Sequence, residues 1–255
     1  MWTDTHCHLD AAEFAADRAA VVAAAQAAGV GRIVVPAVDV HNFAAVRDCC
    51  RQYAGCFPAY GIHPIATPRA TDDDLQTLRQ WLARERPVAV GEIGLDHFLP
   101  GLDRERQRHF FVEQLKLARE FDLPVLLHVR RAVDAVLREL RRIRVRGGIA
   151  HAFNGSRQQA DIFISLGFKL GFGGAMTWPR ATRLRTLAAT LPAAAIVLET
   201  DAPDIPPVFV GRGRNEPAHL PEIAGSLAGL RGVAREEIEE MTTLNASCIM
   251  SCITE

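Results

Sequence analysis

The sequence has no long uncharged apolar run, almost no net charge and no low-complexity tract. No segment approaches the roughly 18 consecutive apolar residues that a membrane-spanning helix needs. The first ten residues carry two acids, Asp4 and Asp10, before any apolar stretch. These absences argue against a signal peptide and a membrane partner, so we expect a cytoplasmic protein. The formal net charge of -1 provides no general attraction to nucleic acid, which would need a local basic patch.

The chain also lacks a Cys-x-x-Cys pair, although it has six cysteines. A chain of 255 residues can bury a large core without disulfides, so we expect its thiols to be reduced. Cys248 and Cys252 stand one helical turn apart and could share a metal, but small buried side chains are the favoured interpretation. No linker-like stretch divides the chain, which predicts a single domain over residues 1–255.

Short apolar segments alternate with helical segments along the whole chain. After a first strand that carries His6 and His8, the predicted strands are residues 32–38, 56–61, 88–92 running on into 93–96, 124–128, 148–151, 168–173 and 196–201. The predicted helices are residues 11–28, 42–53, 72–86, 103–121, 133–143, 156–166 and about 182–190, followed by two C-terminal helices. The first helix is expected to begin at a capping box of Asp10 and Glu13 and to end at Gly29.

Eight near-continuous apolar strands, each followed by a helix, indicate a parallel sheet covered by helices. This length and strand count favour an α/β fold, the closed (β/α)8 TIM barrel with extra C-terminal helices. An open doubly wound sheet is the alternative. The glycine-rich dinucleotide fingerprint that it often carries after its first strand is absent.

Titratable side chains collect at the C-terminal ends of the predicted strands. Five of the nine histidines lie there, although histidine does not favour strands: His6, His8, His63, His128 and His151. His6 and His8 are two positions apart, so in an extended chain they project from one face. Glu92 lies on the fourth strand and Asp201 ends the eighth. Because all C-terminal strand ends of a TIM barrel surround one mouth, we expect these groups to converge.

Four imidazoles and two carboxylates are too many titratable groups to bury without a compensating cation. A single tetrahedral site takes about four protein ligands, so six fit two ions better. We assign six metal ligands: His6, His8 and Asp201 for the first ion, His128 and His151 for the second, and Glu92 as the bridge.

Two metals about 3.5–4 Å apart can activate a water for attack on an ester at neutral pH. The predicted catalytic residues are therefore the bridging Glu92 and Asp201, which would orient or deprotonate that water. The predicted cofactors are two divalent metal ions per chain. Their identity stays open among Mg, Mn and Zn, since imidazole favours transition metals and magnesium prefers oxygen ligands.

Seven short motifs occur in order along nearly the whole chain. They are DTHCHLD at 4–10, GIHP at 61–64, GEIGLD at 91–96, PVLLH at 124–128, HAFNGS at 151–156, LETDAP at 198–203 and RNEP at 214–217. With these motifs the chain resembles the TatD family of metal-dependent hydrolases, which are amidohydrolase-like (β/α)8 barrels. The resemblance implies metal ligands at the same six positions. It also implies phosphodiester hydrolysis, commonly by a magnesium-dependent deoxyribonuclease of exonuclease type.

Several positions depart from the pattern of the family that the chain resembles. Val129 stands where many members have a hydroxyl, Arg131 where an acid is common, and Asn154 where serine is usual. The aromatic that normally follows residues 245–247 is missing, and Asp204 adds an acid typical of one subgroup. None of these positions is a proposed metal ligand, so the departures concern the substrate.

The first functional hypothesis is a hydrolase that acts on DNA, at single-stranded ends. Two substrate-binding residues are predicted: His63 contacts a substrate phosphate or a neighbouring loop, and Arg214 stabilises phosphate charge or forms an intramolecular salt bridge. Asp96 and Glu199 are expected to orient the ligands. Arginines that follow strands five and seven could meet a phosphate backbone, namely Arg130, Arg131, Arg180 and Arg183.

Two other functional classes compete with this hypothesis. The same metal hydroxide could hydrolyse an amide, a lactone or an aminoacyl ester, and a substrate panel separates these reactions. A non-enzymatic barrel retained as a scaffold would be expected to have lost at least one ligand, and all six are present. No feature of the sequence indicates an obligate protein partner.

Overall fold

The computed structural model describes residues 1–250 of the chain. Its parallel strands lie side by side in chain order, forming a nearly closed eight-stranded barrel. The strands are β1 (Trp2–Asp4), β2 (Val30–Pro36), β3 (Cys56–Tyr60), β4 (Ala89–Asp96), β5 (Val125–Arg130), β6 (Gly148–Ala150), β7 (Phe168–Phe172) and β8 (Ile196–Leu198). The predicted TIM barrel is thereby confirmed.

Helices follow the strands and cover the outside of the barrel. They are α1 (Arg18–Ala27), α2 (Phe43–Gln52), α3 (Asp72–Glu85), α4 (Arg104–Glu120), α5 (Val133–Arg142), α6 (Arg157–Ser165), α7 (Thr182–Thr190), α8 (Leu220–Arg231) and α9 (Arg235–Ile249). Short 3-10 helices occupy Ala12–Phe14, Pro64–Ala66, Gly174–Thr177, Ala193–Ala195 and Pro217–His219. Within residues 1–250, no helix is both long and apolar enough to cross a bilayer.

The strands are apolar because both of their faces are buried, one toward the barrel interior and one toward the helices. Every residue of β4 is buried, including Glu92. The helices bury only one stripe, as α5 does with Val136, Leu137 and Leu140. Asp103 caps α4 by accepting hydrogen bonds from the first-turn amides.

The register between β4 and β5 contains a bulge where Glu92 lies. Val90 pairs with Val125 and Ile93 pairs with Leu127, so β4 has one extra residue in this interval. Bulges of this kind re-aim a side chain and are frequent beside active sites.

The barrel closes through the segments that follow β1 and β8. The Thr5 amide donates to the Leu198 carbonyl at 3.1 Å, and the Asp201 amide donates to the His6 carbonyl at 2.8 Å. The closing seam therefore runs through residues that the sequence analysis assigned to the metal site.

Helix α9 covers the amino-terminal end of the barrel. Its Ala246 belongs to a buried cluster with Val34 and Val197 from the strands. The Asn245 amide nitrogen donates to the Ile196 carbonyl, at the start of β8, at 2.8 Å. With this end sealed, the barrel is accessible at the carboxyl ends of its strands.

The predicted start of the first helix is wrong. Residues 12–14 form a 3-10 helix and α1 begins only at Arg18. The Arg18 guanidinium donates to the carbonyls of Leu9, Asp10 and Ala11, which holds the preceding segment as a loop. The Asp10 carboxylate accepts from the Asn42 amide at 2.9 Å instead of capping a helix.

The expectation of small buried cysteines near the C-terminus fails for Cys248, whose side chain is exposed. Cys252 lies outside the described residues. Cys7, Cys49, Cys50 and Cys56 are free thiols, as expected.

Candidate metal centre

His6 and His8 lie on the extended segment after β1, and their Nε2 atoms are 3.3 Å apart. The His8 amide donates to the Ala202 carbonyl at 2.8 Å, which continues the closing seam. Asp201 adopts a left-handed backbone with φ of 56°, a conformation that aspartate tolerates better than most residues. Its Oδ1 lies 3.5 Å from His6 Nε2 and 3.8 Å from His8 Nε2.

Glu92 stands between two sets of imidazoles, and each carboxylate oxygen faces one set. Its Oε2 lies 3.1 Å from His6 Nε2 and 3.6 Å from His8 Nε2. Its Oε1 lies 2.8 Å from His128 Nδ1 and 3.0 Å from His151 Nε2. All six predicted metal ligands are therefore gathered at one end of the barrel.

His63 lies closer to this centre than the sequence analysis expected. Its Nε2 is 3.0 Å from His128 Nδ1 and 3.5 Å from Glu92 Oε1. Its Nδ1 accepts a hydrogen bond from the Ile65 amide, so only Nε2 faces the centre. His63, Glu92 and His128 form a compact group of possible metal-binding atoms.

Two carboxylates face the outer nitrogens of the second set, and Asp96 is within hydrogen-bond distance of its imidazole, whereas Glu199 is in ion-pair range only. Asp96 Oδ2 lies 3.1 Å from His128 Nε2. Glu199 Oε1 lies 3.7 Å from His151 Nδ1 and accepts the Ala152 amide at 2.5 Å. Such contacts orient a ligating imidazole and raise its basicity.

Gly171 on β7 provides the space that Glu199 occupies. A Cβ at this position would lie 2.2 Å from Glu199 Oε2. We expect Gly171→Ala to displace the Glu199 carboxylate from His151 and to weaken metal binding about 10- to 100-fold. Metal affinity and melting temperature of the purified variant test this expectation.

Gly225→Ala is the matched control, because a Cβ there meets nothing within 4 Å on helix α8. Alanine in a helix is roughly 0.5–1 kcal/mol more favourable than glycine, so this control should melt at the same or a higher temperature. A Gly171→Ala protein with normal metal affinity would show that Glu199 does not hold His151.

Burial sets the charge state of several donors. It lowers the pKa of His6 to about 3, so this ring is neutral at physiological pH, the form that binds metals. It raises the pKa of Asp201 to about 6. Burial would raise the pKa of Glu92 too, but the neighbouring imidazoles, His151 above all, hold it well below the ordinary value.

This donor set fits divalent metal ions. Buried carboxylate oxygens and imidazole nitrogens face one another at 2.8–3.8 Å, and such mixed N and O sets bind zinc, manganese and iron. A cation among them would offset the cost of burying the carboxylates. The chemistry of the residues present therefore agrees with a metal centre.

Arg214 is engaged within the protein. Its guanidinium pairs with Asp17 at 2.7 Å and Glu216 at 2.8 Å, and it lies over the Phe14 ring. Of the two alternatives raised from the sequence, the intramolecular salt bridge is the one observed. Substrate binding by Arg214 stays a prediction.

Sequence reasoning missed two glutamines that position the strand ends. Gln107 and Gln114 are both buried on α4. The Gln107 side chain exchanges two hydrogen bonds with the Asp96 backbone, and Gln114 does the same with Ile62. They hold the chain beside His63 and His128. The sequence does contain a sign of this role: two side-chain amides lie seven positions apart on the apolar face of a predicted helix.

Asp4 is a further buried group that sequence reasoning left without a role. Its carboxylate accepts hydrogen bonds from the Thr200 hydroxyl at 2.6 Å and from the His6 amide at 3.2 Å. Burial raises the pKa of Asp4 to about 7. Asp4 thus connects the segments that carry His6 and Asp201.

A cavity of about 1100 Å³ opens above the centre. Its floor includes His8, His63, Glu92, His128, His151 and Asp201. This volume lies slightly above the usual range for ligand pockets, so the cavity has room for a substrate larger than one small ester.

Comparison with known proteins gives the family. The family described as "TatD related DNase" matches residues 3–251. The uncharacterized metal-dependent hydrolase YjjV of Escherichia coli K12 is 43% identical over 240 residues, 93% of each chain. Its crystal structure, described as a TatD homolog, superposes with a TM-score of 0.94 at 40% identity over 98% of both chains. The 3'-5' ssDNA/RNA exonuclease TatD of Cronobacter sakazakii is 33% identical over 96% of this chain and 95% of its own length. The chain belongs to the TatD-related DNase family of metal-dependent hydrolases.

Proposed function

We propose that this protein is a nuclease that removes nucleotides from the ends of single-stranded DNA with two divalent metal ions. The observation that carries the proposal is the position of Glu92. Its two oxygens face different imidazole sets, at 3.1 Å and 2.8 Å, which suits a carboxylate that bridges two cations.

We assign the six ligands to two ions as the sequence suggested. His6, His8 and Asp201 would hold the first ion, His128 and His151 the second, with Glu92 shared. Bound there, two divalent cations supply positive charge for a phosphodiester and lower the pKa of water. His63 Nε2 borders the second set and is placed to contact either a cation or a substrate phosphate.

Asp201 has the second catalytic role. Its Oδ1 faces the two histidines after β1, which leaves Oδ2 to accept the proton of the attacking water. A general base at this position would take the proton of the attacking water in the hydrolysis of any ester, whichever alcohol is the leaving group.

DNA as the substrate is supported by the relatives and by the cavity. A full-length relative is named as a single-stranded DNA and RNA exonuclease. Three arginines line the cavity, Arg130, Arg131 and Arg183, and guanidinium groups pair well with phosphate. Because the net charge of the chain is -1, attraction of DNA to the protein would have to come from these arginines.

A substrate screen tests the proposal. Single-stranded oligonucleotides labelled at either end are incubated with the protein and Mg, Mn or Zn, beside a lactone, an aminoacyl ester and an amide. We expect a ladder of products that become progressively shorter from one end of the oligonucleotide. Hydrolysis of a small ester or amide with no cleavage of any oligonucleotide would replace the nuclease by the alternative hydrolase.

The metal content of the protein is a separate prediction. Protein purified without added metal is expected to carry close to two transition-metal ions per chain, because four of the six ligands are imidazoles. Elemental analysis of freshly isolated protein measures this directly. Finding magnesium alone, or no metal after careful handling, would contradict it.

A further inference from the structure

Phe98, Arg130 and Arg131 form a cluster on one wall of the cavity. Phe98 follows β4 and is 42% exposed, an unusual position for a large apolar ring. The Arg130 Cζ lies 3.9 Å from the centre of this ring and the Arg131 Cζ lies 4.7 Å from it. The ring therefore contacts two guanidinium groups.

The hydrogen-bond donors of both guanidiniums are available. Arg130 approaches one carboxylate, Asp96, at the long distance of 3.9 Å. In the described part of the chain, the Arg131 side chain contacts the Phe98 ring and makes no hydrogen bond or ion pair. Arg183, on the same cavity, donates instead to Asn154 at 2.7 Å. Two guanidiniums that contact the same ring and keep free donors can form a site for a phosphate.

The cluster adjoins the metal centre. Asp96, which Arg130 approaches, lies 3.1 Å from His128 of the second ligand set. A phosphate bound by the two arginines would therefore lie beside a phosphodiester held at the centre, and not in its place.

The opposite wall of the cavity carries the opposite charge. In an eight-stranded barrel ordered β1 to β8, the loops after β4 and β5 face those after β8 and β1. The cavity residues from those facing loops include Asp10, Glu13 and Asp204. A polyanion is attracted to the first wall and repelled by the second.

We propose that the Phe98–Arg130–Arg131 cluster binds the phosphate next to the scissile phosphodiester, so that the DNA strand leaves the cavity on this side alone. This inference rests on the proposed function. It makes the enzyme selective for substrates with two consecutive phosphates, and it gives a physical reason for attack at an end, because the acidic wall leaves no second exit for the strand.

Two short substrates isolate the second phosphate. The dinucleotide dTpdT has one phosphodiester, and the trinucleotide dTpdTpdT has two. The ratio of their kcat/KM values is measured for the wild-type protein, Arg131→Gln and Phe98→Leu. Arg84→Gln is the matched control, since the Arg84 Cζ also lies over an aromatic ring, 4.3 Å from Trp81, but on α3 outside the cavity.

We expect the wild-type protein to prefer the trinucleotide and Arg131→Gln to lower that preference at least about 10-fold, as for the loss of one charge-assisted hydrogen bond. The loss should appear in KM, because a contact away from the scissile bond binds ground and transition states alike. Phe98→Leu should shift the ratio in the same direction, and Arg84→Gln should not shift it.

An unchanged ratio in Arg131→Gln, or a wild-type protein that cleaves both substrates equally well, would overturn the second-phosphate site while the nuclease stands. Failure of the wild-type protein to cleave any oligonucleotide would overturn the proposed function and this inference together.

Discussion

Replacing Glu92 with Gln is expected to cost the protein one metal ion and to lower kcat/KM at least about 100-fold. The amide keeps the size of the side chain but presents only one oxygen, and its NH2 group would face one of the two imidazole sets. The removed charge is the one that would lie between the two proposed cations and offset their repulsion. Changing a residue that only orients a metal ligand typically lowers metal affinity or activity roughly 10- to 100-fold, so changing a ligand itself should cost at least as much.

Metal content, melting temperature and kinetics of one preparation measure this result. Glu139→Gln is the matched control, because Glu139 is equally buried but pairs with Arg108, on the outer helices. That control should lose stability and keep both metals. A Glu92→Gln protein with two metals and near-normal turnover would remove the bridge from the mechanism.

Replacing Asp201 with Asn is expected to separate metal binding from catalysis. Asparagine keeps one oxygen for the first ion but cannot accept the proton of the attacking water. Metal content should fall modestly, while kcat should fall by about 10² to 10⁴-fold or more, the usual contribution of a general base. Apparent substrate affinity should change little.

The alternative for Asp201 is a structural role, in which its side chain would support the seam that its backbone joins to His6. In that case the variant would melt at a lower temperature and keep its turnover per folded molecule. Measuring kcat and the melting temperature on metal-loaded protein distinguishes the two, and near-normal kcat would exclude Asp201 as the base.

The barrel and the convergence of the candidate ligands could be predicted because both depend on local patterns. Apolar runs of strand length alternate with amphipathic helices, and histidines at the ends of such runs must share one mouth. His6, His8, His128 and His151 were found in this way. Their convergence follows from the topology and needs no knowledge of side-chain contacts.

Contacts between distant positions could not be predicted. Arg214 pairs with Asp17, which is 197 positions away, so no local sequence pattern around Arg214 indicates this ion pair. Arg18 ties down the loop before α1 through backbone carbonyls, which any residues could supply. The stacking of two arginines on Phe98 depends on how the loops after β4 and β5 meet.

The seam between the first and last strands has a consequence for how the protein is made. Asp4 and Thr200, which join its two sides, are 196 positions apart. During synthesis His6 and His8 emerge early, yet Asp201 emerges only after seven β/α units. Closing this loop carries an entropic cost, and a cation held by both ends would bind only the finished barrel and stabilise it by mass action. A chain on a ribosome stalled before β8 would lack Asp201 and would be expected not to retain the first of the two proposed ions, so the metal would stabilise completed molecules alone.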